Sequence, residues 1–204
     1  MAYPPAAGQR EDVKDSVVPS TLAHFDMHNQ NFMFGSLNPN SVEHSLVPIL
    51  KLIDFDIATD QEGEGEWPDE DVLEKFDNEL EFHRYNQPGG VRNHGINANV
   101  IAIGMVMSRI VHGQEPMDEN TCREAMQREL PNLDNDLQLL ILRCLAVDEE
   151  NRPSLRELLT TAYNAVVTKD AAWYNRVGWP TSASETDEAI QRIVQKCILD
   201  ANPT

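Results

Sequence analysis

The chain has few cysteines, few aromatics, few bases and no secretory leader, and each shortage excludes a class of protein. The three cysteines, Cys122, Cys144 and Cys197, are far apart and odd in number, and no C-x-x-C pair exists. Neither a zinc knuckle nor a disulfide framework is indicated, so free thiols in a reducing compartment are expected. The opening "MAYPPAAGQREDVKD" lacks an apolar core and is no secretory signal. No stretch reads as the ~18 apolar residues of a membrane span. Together these predict an intracellular chain, cytoplasmic or nuclear, with no membrane partner. Bases number 16 against 34 acids, a formal charge of −18. Such a surface repels a phosphate backbone, which argues against nucleic-acid binding. Aromatics are only 6% of the 204 residues, so the core must come mainly from Leu, Ile, Val and Met.

The pattern along the chain predicts an α+β fold, mainly α. Residues 1–19 are rich in Pro, Ala and charge and read as an extended lead-in. "NFMFG" and "LVPILKLIDFDIA" are strand-like runs separated by the turn-rich "GSLNPNSVEHS", which predicts one short β-hairpin with a long tip. Residues 60–81 carry eleven acids and one base, the composition of a solvated loop or a docking strip for a basic partner. Helices are expected in "INANVIAIGMVMSRIVHG", closed by Gly113, in "DNDLQLLILRCLAVD", and in "RPSLRELLTTAYNAVV" with Pro153 in its first turn. The tail, 166–204, should carry an amphipathic helix over 185–200, capped by Ser184 and Asp187. Ala189, Ile190, Ile193, Val194, Cys197 and Ile198 would form its apolar face.

The polar stretch "AHFDMHNQNFMFG", residues 23–35, admits three readings: a metal-ligand cluster, an active loop, or a polar turn before a strand. His24, Asp26 and His28 alternate along it and, in the first reading, are ligands of a small metal-dependent hydrolase. Asp26 and Asn31 are equally suited to capping turns. Asp26 and Asn31 also form D-x-x-x-x-N within H-x-D-x-x-x-x-N, and Asp54 ends a strand in "KLIDFDIA". "NVIAIG", Asn99 to Gly104, and "RCLAVDEENRPSLRELL", 143–159, follow in order.

As a set, these segments resemble the catalytic half of a protein kinase, with its H-R-D-x-x-x-x-N loop, D-F-G strand, large buried helix and final subdomain. The wording is most similar to divergent fungal Ser/Thr protein-kinase-like proteins, and the resemblance covers about residues 20–165. It implies a kinase-like C-lobe: a helical body with a short hairpin carrying both loop motifs. It implies Asp26 at the position of the catalytic base and His28 at that of the catalytic-loop lysine. Asn31 and Asp54 would hold Mg2+ against the phosphates of ATP, and His24, Asn99, Gln87 and Arg152 would be structural.

The departures from that pattern are physical. Phe25 replaces the arginine, and His28 replaces a lysine that would meet the γ-phosphate. Asp56 replaces the glycine of D-F-G and adds a carboxylate. Asn99 stands for the aspartate that braces the loop, and Gln87 cannot form the usual ion pair with Arg152. Nothing before His24 resembles the Gly-rich loop or the strand lysine that hold ATP, and the "GEGE" at 63–66 repels phosphate through its carboxylates. A catalytically impaired interaction module with a protein partner is therefore expected, with weak or absent ATP binding. An active Ser/Thr kinase is the alternative if a small lobe exists upstream.

Overall fold

The computed structural model describes residues 13–14, 18–60, 94–113 and 119–201. Gln87 and the acidic run 61–81 lie outside the described residues, as does most of the lead-in. Of the latter, the Val13 carbonyl accepts a hydrogen bond from Arg156. The fold is α+β and mainly helical. Among the described residues, four short strands, β1 (Leu22–Ala23), β2 (Phe32–Phe34), β3 (Leu50–Leu52) and β4 (Thr59–Asp60), precede six α-helices. These are α1 (His94–His112), α2 (Glu119–Glu129), α3 (Asn135–Cys144), α4 (Leu155–Thr168), α5 (Ala171–Arg176) and α6 (Asp187–Val194).

The strands make two antiparallel pairs, where the sequence predicts one hairpin. β2 pairs β3 with Phe32 opposite Leu52 and Phe34 opposite Leu50. β1 pairs β4, with Ala23 opposite Thr59. The second pair encloses the first, and the Thr21 hydroxyl adds a side-chain hydrogen bond to Asp60 across it. Each of these outer strands is two residues long, too short for alternation to register.

Helix α1 is the axis of the molecule. Its N-terminal half faces the strands, where Ala98 packs with Ala23, Phe25 and Ile57. Its C-terminal half packs Met105, Met107 and Val111 against Cys122, Met126, Ile141, Leu142 and Leu145. Val100, Ile101, Met126 and Ile141 are almost wholly buried, and each such side chain contributes about 1.5–3 kcal/mol by leaving water. Gly113, at φ +76°, stops the helix in a left-handed turn. Gly95–His112 is, by length and composition alone, apolar enough to cross a bilayer, contrary to the expectation above. Here Asn97 bonds Glu149, Asn99 bonds the β1 segment, and the Ser108 hydroxyl meets the Cys122 sulfur at 3.3 Å. Those polar contacts, and the core on either side, make it the central helix of this body.

Helix α2 has no counterpart in the sequence reading, because only Cys122 and Met126, four apart, point inward from a polar segment. Helix α3 starts at Asp134, whose carboxylate accepts from the backbone N–H groups of Asp136 and Leu137. Helix α4 starts later than expected, at Leu155, and Pro153 is not in its first turn. Pro153 precedes the cap, and Ser154 and Glu157 form a reciprocal capping box. The division at residue 165 falls inside α4. The C-terminal helix is shorter than 185–200. Thr186, not Ser184, caps it by accepting from Ala189 N–H, and a π-helical turn, Gln195–Leu199, follows Val194. Ala189 and Val194 are buried, but Ile193 is 57% exposed and Cys197 is exposed. Ile198, within the π turn, is half-buried, so the expected apolar face is covered only in part.

Burial pushes the Cys144 thiol up to about 11, so it stays protonated at neutral pH. Cys122 is also buried, whereas Cys197 is exposed. Iodoacetamide at pH 8 is therefore expected to add one carbamidomethyl group to the native chain, at Cys197, and three after denaturation. Peptide mass mapping that finds Cys144 modified under native conditions would contradict this packing.

Candidate functional site

The site is built where β1, the loop after it, and the end of β3 meet α1. Asn99 is the peg. Its Oδ1 accepts from the His24 backbone N–H at 2.9 Å, and its Nδ2 donates to the Leu22 carbonyl at 2.8 Å. The close approach continues one turn earlier, where a Cβ on Gly95 would collide with the Thr21 carbonyl. An aspartate at 99 supplies only the first bond when ionised; the amide supplies both.

His24 is 2% exposed and ties the loop to β3. Its Nε2 lies 3.0 Å from the Ile53 carbonyl and its Nδ1 3.3 Å from the Asp26 backbone N–H. An acceptor role for Nδ1 assigns the proton to Nε2, which then donates to Ile53. The Phe55 ring stands edge-on to the imidazole, with centroids 4.7 Å apart. Both ring nitrogens are thus committed to the protein.

Asn31, 6% exposed, closes the loop from the other side. Its Nδ2 donates to the Asp26 carbonyl at 2.8 Å and to Asp26 Oδ2 at 2.9 Å. The His28 Nε2 approaches Asp26 Oδ1 at 3.4 Å, while its Nδ1 accepts from the Gln30 N–H to cap the 3-10 turn Asn29–Asn31. The Asn31 carbonyl then accepts from the Ile53 N–H at 2.9 Å. Asp54 is the next residue, so the hydrogen bonds that tie Asp26 to Asn31 and Asn31 to Ile53 end on the backbone immediately before it. Asp54, Phe55 and Asp56 are exposed.

Among the described residues, two non-glycines have positive φ, and both are here: Phe25 at 56° and Asp54 at 61°. Left-handed backbone on such residues costs about 1–3 kcal/mol and survives only where the surroundings enforce it. The enforcers are visible. Phe25 is held by burial against Ala98, and Asp54 follows Ile53, whose N–H and carbonyl are both bonded.

Chemically, the cluster offers one carboxylate fixed by two side-chain neighbours, Asp26. It also offers hard oxygens on Asp54 and on Asn31, whose NH2 is spent on Asp26. A carboxylate has about four lone-pair sites, so Asp26 retains acceptor capacity. The geometry counts against a metal centre built on His24, Asp26 and His28, because His24 has no nitrogen left to give. Among the described residues, no three His, Cys, Asp or Glu side chains are grouped to hold a metal. Arg152 is buried away from this cluster and donates to the carbonyls of Ala146 at 2.8 Å and Val147 at 2.9 Å, fixing the turn after α3. The sequence reading assigned Asn99 a bracing position but missed its donor half and the left-handed Phe25. Compared with known protein families, the chain matches none, and it matches no curated protein.

Proposed function

We propose that the chain carries a protein-kinase-like C-lobe, impaired in phosphoryl transfer, that works as a protein-interaction module. The observation that supports this most is the hydrogen-bonded cluster of Asp26 and Asn31 around His24, tied to Ile53 at the residue before Asp54. In this reading Asp26 would accept the proton of a substrate hydroxyl, held in orientation by Asn31. The Asn31 Oδ1 and the Asp54 carboxylate would take Mg2+, which prefers a few hard oxygens and leaves its other positions to phosphate and water. When bound, Mg2+ neutralises charge on the phosphates of ATP.

The residues around that trio weaken the reaction. Phe25 is core, packed on Ala98, where a kinase loop has a cation. His28 is engaged by Asp26 and offers a weaker partner to phosphate than an ammonium. Asp56 adds an exposed carboxylate two residues from Asp54, and repels phosphate. An interaction role is supported by the apolar surface of the adjoining hairpin, where Met33, Phe34 and Leu50 are each about half exposed.

Calorimetry with Mg-ATP and transfer of radiolabelled phosphate to a general protein substrate test this. The expected result is no saturable ATP binding below millimolar concentration, and transfer no faster than in the Asp26→Asn variant. Micromolar ATP binding with Asp26-dependent labelling would establish instead an active Ser/Thr kinase.

A further inference from the structure

Away from that cluster, a groove of about 570 Å³ opens between α1, α3, α4 and α5. That is the size of a site for a small organic molecule. Its walls are Met107, Leu137, Leu140, Ala165 and Tyr174. The space exists because α4 presents alanines, Ala162 and Ala165, where leucines would fill it.

One end is charged. Lys169 Nζ donates to Asp134 Oδ1 at 2.7 Å, Asp134 Oδ2 at 2.8 Å and Asp136 Oδ2 at 2.8 Å, and lies 5.0 Å from the centre of the Trp173 ring. An ammonium has three N–H bonds, and all three are spent. Lys169 has no N–H left for an anionic ligand. Two carboxylates against one ammonium leave an excess negative charge, and the Asp136 side chain, 69% exposed, presents it at the rim. The field is felt nearby: burial first, then the carboxylates of Asp134 and Glu185, push the Tyr174 phenol up. Burial also opposes the charges of the pair itself. The Lys169 ammonium and the backbone N–H groups nevertheless hold Asp134 below the usual carboxylate range, and the two carboxylates raise Lys169. The Lys169–Asp134 pair is therefore a fixed wall of the groove at neutral pH, and Asp136 is its adaptable group.

The geometry points to this groove as a binding site for a small amphipathic cation, whose ring or short alkyl body lies on the α1, α3 and α4 walls while its protonated amine meets Asp136. An apolar wall supplies affinity and one charged group fixes orientation and sign. The site shares no residue with the Asp26 cluster, so it stands or falls independently of the function proposed above.

Dansylcadaverine, a fluorescent naphthalene bearing a primary amine, is a direct probe on the full chain, with anilinonaphthalene sulfonate as the anionic counterpart. The amine is expected to bind one site with enhanced emission, and the sulfonate at least tenfold more weakly. Asp136→Asn, at an exposed position, should weaken the amine about threefold, the scale of one rim ion pair. Ala165→Phe should abolish its binding. Ala162→Leu gives a gentler filling, and circular dichroism identifies which of the two variants is folded. Equal binding of amine and sulfonate, no binding of the amine at millimolar concentration, or undiminished binding in a folded filled variant would each overturn the assignment.

Discussion

Replacing Gly104 with valine is expected to destabilise the fold by about 3 kcal/mol, at the upper end of ordinary overpacking. A glycine inside an exposed helix normally costs about 1 kcal/mol relative to alanine, so adding a side chain there usually helps. Gly104 is the exception because α1 and α3 touch at this point. A Cβ on Gly104 would lie 2.6 Å from the Cys144 Cβ, 3.2 Å from Leu145 Cδ2 and 3.3 Å from the Cys144 carbonyl carbon. Cys144 and Leu145 are themselves fully buried, so neither can swing aside. The helices would have to separate, opening the cluster around Met126 and Ile141 that depends on their contact. Urea denaturation measures the loss, and a paired Cys144→Gly change should recover part of it. Unchanged or increased stability of Gly104→Val alone would mean that the two helices are not in contact there.

Asn99→Leu is expected to cost about 3 kcal/mol, because it leaves the His24 N–H and the Leu22 carbonyl, both part-buried, without their partner. Asn99→Asp gives the sharper test. An ionised carboxylate still accepts from His24 but faces the Leu22 carbonyl without a proton to share. Its protonated form restores the donor, so the folded state raises the pKa of the new carboxyl above its unfolded value of about 3.9. A raised pKa means that the deficit is full at neutral pH and shrinks as pH falls through the folded value. Equilibrium unfolding at pH 7 and pH 4, with hydrogen exchange at the His24 amide, reads both effects. A deficit independent of pH together with slow exchange at His24 would show that Asn99 is not the peg of the loop.

How much of this was legible depended on the length and burial of each signal. The β2–β3 hairpin was, because Phe32–Phe34 and Leu50–Leu52 are apolar runs either side of a turn-rich tip. The end of α1 was, because Gly113 follows a long apolar segment. The outer pair β1–β4 was not: Thr59–Asp60 is only two residues long, and its partners Ala23 and Leu22 lie 36 and 38 residues away. Nor was α2, a polar segment ordered by what it packs against rather than by its own pattern. Thr186 and Ser184 are equally good caps on paper, and only the preceding 3-10 turn, Ser182–Ser184, decides between them.

At the site, motif order pointed to Asp26 and Asn31, which are bonded to each other, and to the strand end at Asp54. The means of grouping were not legible, because they are backbone contacts: a carbonyl of Ile53, an N–H of His24, a left-handed turn at Phe25. Backbone groups carry no residue letter. The groove bounded by Lys169 was equally invisible, since it arises from small side chains on one helix facing a charged end on another.

The enclosing of one strand pair by the other bears on the order in which the molecule assembles. The β2–β3 pair and the contacts among α1, α2 and α3 join residues close in the chain, and such contacts form early. The bonds of Asn99 to Leu22 and His24 span 77 and 75 residues and can form only after those local units exist. The entropic penalty of so long a closure is only modestly larger than for a short one, since each doubling of loop length adds about 0.6 kcal/mol, but the wait for it is long. The left-handed Phe25, held against Ala98 of the same helix as Asn99, is enforced only once that closure is made. The junction of β1 with α1 is thus expected to close late: in refolding followed by hydrogen exchange, the His24 amide should gain protection after the amides within α1.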